Sequence, residues 1–224
     1  MMSLRRRALI ETAQNYDLPD WFQETTYIAN ANTTSGTIPS LRFNLDYYTS
    51  EKTNLYIKAY YLGNSDGFPF YEQESQNGTT VWYRANIYNG NLLCRYGTVN
   101  PNHYTSQCKP GTGRISEITV TNGAFEVVSG EASGSYPWNS SFVGQTFQFK
   151  TSPMYLFSSA SGGSPCRMRL YSNFKLWENG KLAVWLATGY NKNNTSEIGV
   201  YDRVRRRFIL PTGTGTMYKG SDVT

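Results

Sequence analysis

Few residues in this 224-residue sequence could do covalent or metal chemistry, and their spacing argues against it. The single histidine, His103, lies in Asn100-Pro101-Asn102-His103-Tyr104, with Cys108 following shortly after. A nucleophile relay needs a histidine fixed against a serine and an acid, and no Gly-x-Ser-x-Gly turn accompanies it. Cys94, Cys108, Cys166 and His103 have spacings unlike those of compact zinc sites. Cys94 and Cys108 could form a disulfide if oxidised, although three reduced thiols in a reducing cytoplasm is the simpler account. Glu72-Gln73-Glu74 is the close carboxylate pair. Retaining glycosidases hold two carboxyl groups about 5–5.5 Å apart, and residues i and i+2 of a strand share a face. The context Gly67-Phe68-Pro69-Phe70-Tyr71 before the pair and Ser75-Gln76-Asn77-Gly78 after it is turn-rich, so the pair reads as a solvated loop. Neither a Gly-x-Gly-x-x-Gly turn nor a phosphate-binding Gly-x-x-x-x-Gly-Lys-Ser/Thr loop is present. The expectation is a protein that is not an enzyme, with no cofactor and no metal.

Aromatic residues are the remaining hint, at 15% of the chain. Exposed Trp and Tyr faces serve both saccharide and protein recognition. Tyr136-Pro137-Trp138, in a Ser/Gly-rich stretch, and Phe68-Pro69-Phe70-Tyr71 read as loops, which makes Tyr136, Trp138, Phe70 and Tyr71 the expected contacts to a glycan or partner. Trp82, Trp177 and Trp185 fall inside strand patterns and read as core. The net charge of +5 is local rather than general. Arg203, Arg205, Arg206, Arg207 and Lys219 face only Asp222 in the last stretch, while Arg5, Arg6 and Arg7 are balanced by Glu11, Asp17 and Asp20. Phosphate-driven binding needs cations spread over one surface, so no nucleic-acid partner is expected and Arg203–Arg207 reads as one basic turn. No run of about 18 apolar residues is present to span a membrane, and a secretory leader is not expected behind Arg5–Arg7.

These side chains must be positioned by an all-β body. Residues 3–16 carry good helix formers without Gly or Pro, but the apolar stripe of Leu4, Ala8 and Leu9 is thin. Such a segment docks on something else, and Asp17-Leu18-Pro19-Asp20 breaks it. Residues 1–20 therefore read as a short helical or extended anchor and residues 21–224 as the domain. From Trp21 onward, β-branched and aromatic runs alternate with Gly, Asn and Ser clusters. The expected strands are 24–29, 40–48, 54–61, 79–88, 91–96, 114–121, 124–130, 145–151, 154–158, 167–178, 181–188, 198–202 and 207–211. Asn89-Gly90 and Asn179-Gly180 read as type I′ hairpin turns, with a further turn at Asn122-Gly123. Residues 129–141 and 158–164 read as surface loops. Two stacked sheets are the natural arrangement for strands with one buried face.

The C-terminal third carries a recurring pattern. Tyr155-Leu156-Phe157 is followed by Phe174-Lys175-Leu176-Trp177-Glu178-Asn179-Gly180-Lys181-Leu182, then by Ile198-Gly199-Val200-Tyr201-Asp202-Arg203-Val204 through Phe208, and finally by Gly213-Thr214-Gly215-Thr216 and Gly220. In order and spacing this resembles the concanavalin A-like, laminin G-like jelly-roll domains of phage and prophage structural proteins and of gut-bacterial surface proteins. Thr26-Tyr27-Ile28 and residues 40–48 are similar to that family's opening strands. One departure is that Leu186-Ala187-Thr188-Gly189 runs into a polar Asn-rich loop, where the family places a proline. The resemblance implies a jelly-roll β-sandwich and brings no catalytic residue and no calcium ligand. The Leu4-Arg5-Arg6-Arg7-Ala8-Leu9-Ile10 leader resembles the beginnings of phage virion proteins, which implies an anchor through Leu4, Arg5, Arg6, Arg7, Leu9 and Ile10. The expected function is thus a non-enzymatic phage virion structural protein, of capsid, fibre or tail, located in the virion. Its expected partners are other virion proteins through the N-terminus and a host-surface glycan, and a homo-oligomer is compatible with this. The alternatives are a carbohydrate-binding module of a bacterial surface protein and, after it, a glycoside hydrolase.

Overall fold

The computed structural model describes residues 16–30, 39–45, 53–62, 69–74, 81–88, 91–98, 115–120, 124–129, 132–137, 153–158, 166–213 and 215–224. Among them are strands and turns but no helix. The strands are β1 (Phe22–Glu24), β2 (Tyr27–Asn30), β3 (Leu41–Phe43), β4 (Thr53–Tyr61), β5 (Pro69–Glu74), β6 (Val81–Tyr88), β7 (Asn91–Thr98), β8 (Ile115–Val120) and β9 (Ala124–Ser129). They continue with β10 (Ala132–Pro137), β11 (Met154–Leu156), β12 (Met168–Tyr171), β13 (Phe174–Glu178), β14 (Lys181–Asn191), β15 (Asn194–Asp202), β16 (Arg207–Ile209) and β17 (Met217–Lys219).

All pairings are antiparallel and fall into two sheets. The smaller runs β3-β11-β5-β6-β7, and the larger runs β10-β9-β8-β4-β13-β14-β15-β16, with β1, β2, β12 and β17 attached to it. Strand β4 shows why the chain settles this way. Its apolar residues alternate, so Leu55, Ile57, Ala59 and Tyr61 are buried while Asn54, Tyr56, Lys58 and Tyr60 turn to the other face. The buried set meets Leu41 and Phe43 of β3 and Met154 and Leu156 of β11 in one core shared by the two sheets. Phe43 and Phe174 bridge it edge to face, with centroids 5.9 Å apart. This is the arrangement of a β-sandwich.

Several expected boundaries move. The expected strand 167–178 divides into β12 and β13 at Ser172-Asn173, where Asn173 takes a positive φ of 86°. The expected strand 24–29 divides into β1 and β2. The Asn-rich loop expected after Gly189 is instead the end of β14, which runs to Asn191 and turns tightly into β15. The expected loop 129–141 contains β10, a full partner of β9. Small residues and Pro137 are tolerated there because β10 is an edge strand, where a missing N–H breaks no inner ladder. The expected strand 145–151, the Asn122-Gly123 turn and the N-terminal helix, apart from Tyr16, lie outside the described residues.

Candidate functional site

The two strand breaks and β14 meet at one polar node. Thr25 N–H donates to the Thr188 carbonyl oxygen at 2.8 Å, and the Thr188 hydroxyl donates back to the Thr25 carbonyl at 2.8 Å. Ser172 Oγ accepts from the Thr188 N–H at 3.0 Å. Thr25 and Thr188 are fully buried, and these bonds satisfy groups that would be costly to leave bare. The node fixes Asn173 in its left-handed conformation on the face of the larger sheet that points away from the core. There its Oδ1 accepts the Trp185 indole N–H at 3.2 Å.

Register then builds a row across that outer face. Thr119 of β8 pairs with Tyr56 of β4, Tyr56 with Lys175 of β13, and Lys175 with Trp185 of β14. Directly opposite residues share a face, so four chemically distinct side chains line up across four strands. Lys175 Nζ lies 4.4 Å above the Trp185 ring. Beside this row, Lys58 pairs with Glu117 at 2.9 Å. The Lys58 hydrogen bond first, and then one from the Tyr56 hydroxyl, hold the Glu117 carboxyl below its ordinary value. Burial, followed by the charge and hydrogen bond of Glu117, pushes the Tyr56 phenol up to about 12. Farther along, the Arg169 guanidinium sits 4.8 Å from both the Tyr27 and Tyr60 rings.

Part of the outer face is covered by the chain itself. Trp21 packs edge to face on Tyr201 and Phe208, with centroids 5.9 and 5.7 Å away. With Leu18, Phe22 and Ala187 they form a second apolar cluster. Arg203 anchors the segment by donating to the Tyr16 carbonyl at 3.0 Å and to Glu24 Oε2 at 2.7 Å. Its turn is held by fully buried Asp202, which accepts from the Val204 and Arg205 N–H groups and pairs with the Arg205 guanidinium at 3.1 Å. The basic turn read from the sequence is therefore tied internally, with Arg207 also donating to the Asn44 carbonyl.

Where this cover stops, the face forms a groove of about 430 Å³ lined by Tyr56, Thr119, Asn173, Lys175 and Trp177. Two aromatic rings, a hydroxyl, an amide and an ammonium converge on it. Such a set can stack on the C–H face of a sugar ring and bond its hydroxyls. Trp177 and Trp185 are thus half-buried on the outer face rather than in the core. The signal was present in the sequence. Lys175 and Trp177 are two apart, so one strand face carries both while the other carries Phe174 and Leu176.

The residues expected to contact a ligand are not brought together. Phe70 and Tyr71 lie on β5, inside the smaller sheet, whereas Tyr136 lies on the edge strand β10 of the larger one. None of the three is in a loop, because Pro69–Glu74 and Ala132–Pro137 both find ladder partners. Trp138 and the side chains of Phe70, Tyr71 and Tyr136 lie outside what the structure describes. Glu72 and Glu74 are also on β5 rather than in a loop, in register with Arg84 and Trp82. His103, Cys108 and the anchor residues Leu4, Arg5, Arg6, Arg7, Leu9 and Ile10 lie outside the described residues. Cys166 is a buried free thiol, and burial pushes it up. Among the described residues no cluster of His, Cys, Asp and Glu could hold a metal ion. No family model matches the sequence, and no curated protein matches it.

Proposed function

We propose that the chain is a non-enzymatic structural protein of a phage virion, a capsid, fibre or tail component, whose sandwich is a concanavalin A-like jelly roll displayed to hold host-surface glycans. The observation that carries the binding part is the groove of Tyr56, Thr119, Asn173, Lys175 and Trp177, which combines ring faces with hydrogen-bonding groups on an open sheet. The fold part is supported by the all-antiparallel sheets and by the position of the recurring pattern. Tyr155-Leu156 fall on β11, Phe174–Leu182 span the β13–β14 hairpin, and Ile198–Asp202 complete β15. The virion part rests on the resemblance and on the leader, whose Arg5, Arg6 and Arg7 would pair with acidic surfaces of neighbouring virion proteins.

Two changes test the parts separately. Trp177→Ala should abolish retention on immobilised host-surface glycans while particles still carry the protein. Removing residues 2–15 should abolish incorporation into particles while glycan retention persists. Glycan binding by a protein never found in particles would favour a carbohydrate-binding module of a bacterial surface protein. Retention unchanged in Trp177→Ala would refute the groove as the site.

A further inference from the structure

We infer that the saccharide taken by this groove is acidic, with its carboxylate or sulfate paired to Lys175. This inference rests on the reading of the groove as a glycan site and names the chemistry that the site selects. The argument begins with which cations on the large sheet and its turns are already answered. Lys58 is paired with Glu117 at 2.9 Å, Arg203 with Glu24 at 2.7 Å, Arg205 with Asp202 at 3.1 Å and Lys219 with Asp222 at 3.1 Å. Lys175 has the Trp185 ring beneath its ammonium, at 4.4 Å, but no carboxylate partner among the described residues. It is also the cation that lines the groove.

The rest of the lining is rich in donors. Asn173 Oδ1 already accepts the Trp185 indole N–H, which leaves the amide NH₂ to donate and one oxygen lone pair to accept. The nearby carboxylate, Glu117, is taken up by Lys58 and the Tyr56 hydroxyl. The ammonium and the amide NH₂ therefore face the ligand as donors, while the Thr119 hydroxyl and the second lone pair of Asn173 Oδ1 are the weaker, uncharged acceptors beside them. A neutral sugar offers hydroxyls that both donate and accept, whereas a carboxylate or sulfate offers acceptors alone and forms the stronger charge-assisted bond. A nucleic acid fits less well. Its affinity grows with the number of phosphates neutralised, and this groove presents one unanswered cation beside rings suited to a sugar face.

The test uses the full chain on an array of neutral, uronate-, sialate- and sulfate-bearing saccharides. Wild type should hold acidic members roughly tenfold more tightly than their neutral counterparts, the scale of one partly exposed charged hydrogen bond. Lys175→Met should lower acidic members to the neutral level, Lys175→Arg should keep the preference, and Trp177→Ala should abolish retention of both classes. Carbodiimide-reduced uronates, which keep the ring and lose the charge, should bind wild type and Lys175→Met alike. Equal retention of acidic and neutral saccharides by wild type, or a preference that survives Lys175→Met in a protein with unchanged melting temperature, overturns the acidic assignment and leaves the groove reading standing. Retention of no saccharide overturns both. Displacement of the acidic saccharide by oligo-dT, with a salt dependence of several charges rather than about one, overturns it in favour of a nucleic-acid surface.

Discussion

The phenol of Tyr16 lies against the indole of Trp185, their centroids 5.3 Å apart and their planes tilted by 59°. The same indole carries Lys175 at 4.4 Å and Arg203 at 4.9 Å. Trp185 is therefore the post between two territories of the outer face. On one side the segment 16–22 is folded down over β14–β16, and on the other Lys175 faces the open groove. Whatever fixes Trp185 thus fixes both the edge of the cover and the position of the groove's cation.

Trp185→Ala should therefore loosen the cover before it unfolds the sandwich. The ring is half-buried, so the loss should be about 1–3 kcal/mol, below the range for a fully buried Trp→Ala. Chymotrypsin should gain access to the bonds after Tyr16 and Trp21 in the folded protein. Unchanged cleavage there at full native circular dichroism would show that the Trp21, Tyr201 and Phe208 cluster and the Arg203 bonds hold the segment without Trp185.

Asp202 is the second dependency. It is fully buried, and its oxygens serve two backbone N–H groups and Arg205. Asp202→Ala removes the acceptor of two backbone N–H groups and the carboxylate that answers Arg205, at a cost of about 2–4 kcal/mol. Urea denaturation should show a large fall in midpoint, and Asp202→Asn, which keeps part of the turn, should fall between. A loss under about 1 kcal/mol for Asp202→Ala would mean that water replaces the carboxylate freely.

Gly189 tests the attachment of β1. Its Cα partner is Glu24, and a Cβ placed there would overlap the Gln23 carbonyl oxygen and the Phe22 ring. Backbone cannot yield as a flexible side chain does, so Gly189→Ala should cost about 1–3 kcal/mol or more. Hydrogen exchange should locate the damage in residues 16–24, with β4 and β8 still protected. Uniform deprotection across β4 and β8 as well would show that β1 is part of the sandwich's cooperative core.

Strand existence was legible in the sequence wherever alternation was strong. Thr53–Tyr61 and the Asn179-Gly180 hairpin stand where their patterns put them, since a two-residue period and a positive-φ turn are local properties. Ala132–Pro137 was not legible, because a Ser/Gly/Pro edge strand is made by its neighbour's free ladder rather than by its own propensity. The groove was half legible. The two-residue spacing of Lys175 and Trp177 placed both on one face, yet only the pairing of β13 with β4 and β8 shows that Tyr56 and Thr119 join them. Long-range register has no local signature. The break at Ser172-Asn173 was hidden for the same reason, as its cause is Thr188 in another strand.

The Tyr56–Glu117–Lys58 cluster makes stability depend on pH at both ends. Glu117 titrates below its ordinary value of 4.5 in the folded chain, so its contribution is full above about pH 4.5 and is lost as pH falls through the lowered value. Tyr56 is raised from 10.0 to about 12, so its contribution is full below about pH 10 and is lost as pH rises from there towards 12. Glu117 is well exposed, with 40% of its side-chain surface open, and its share should be under about 1 kcal/mol. Glu117→Gln should remove the acid-side dependence belonging to this cluster. It should also bring Tyr56 down from about 12, though not to 10.0, because burial is the larger cause of its shift and survives the substitution. A titration of the Tyr56 ring carbon by NMR reads this directly. A phenol that still titrates near 12 in Glu117→Gln would mean that burial alone holds it there.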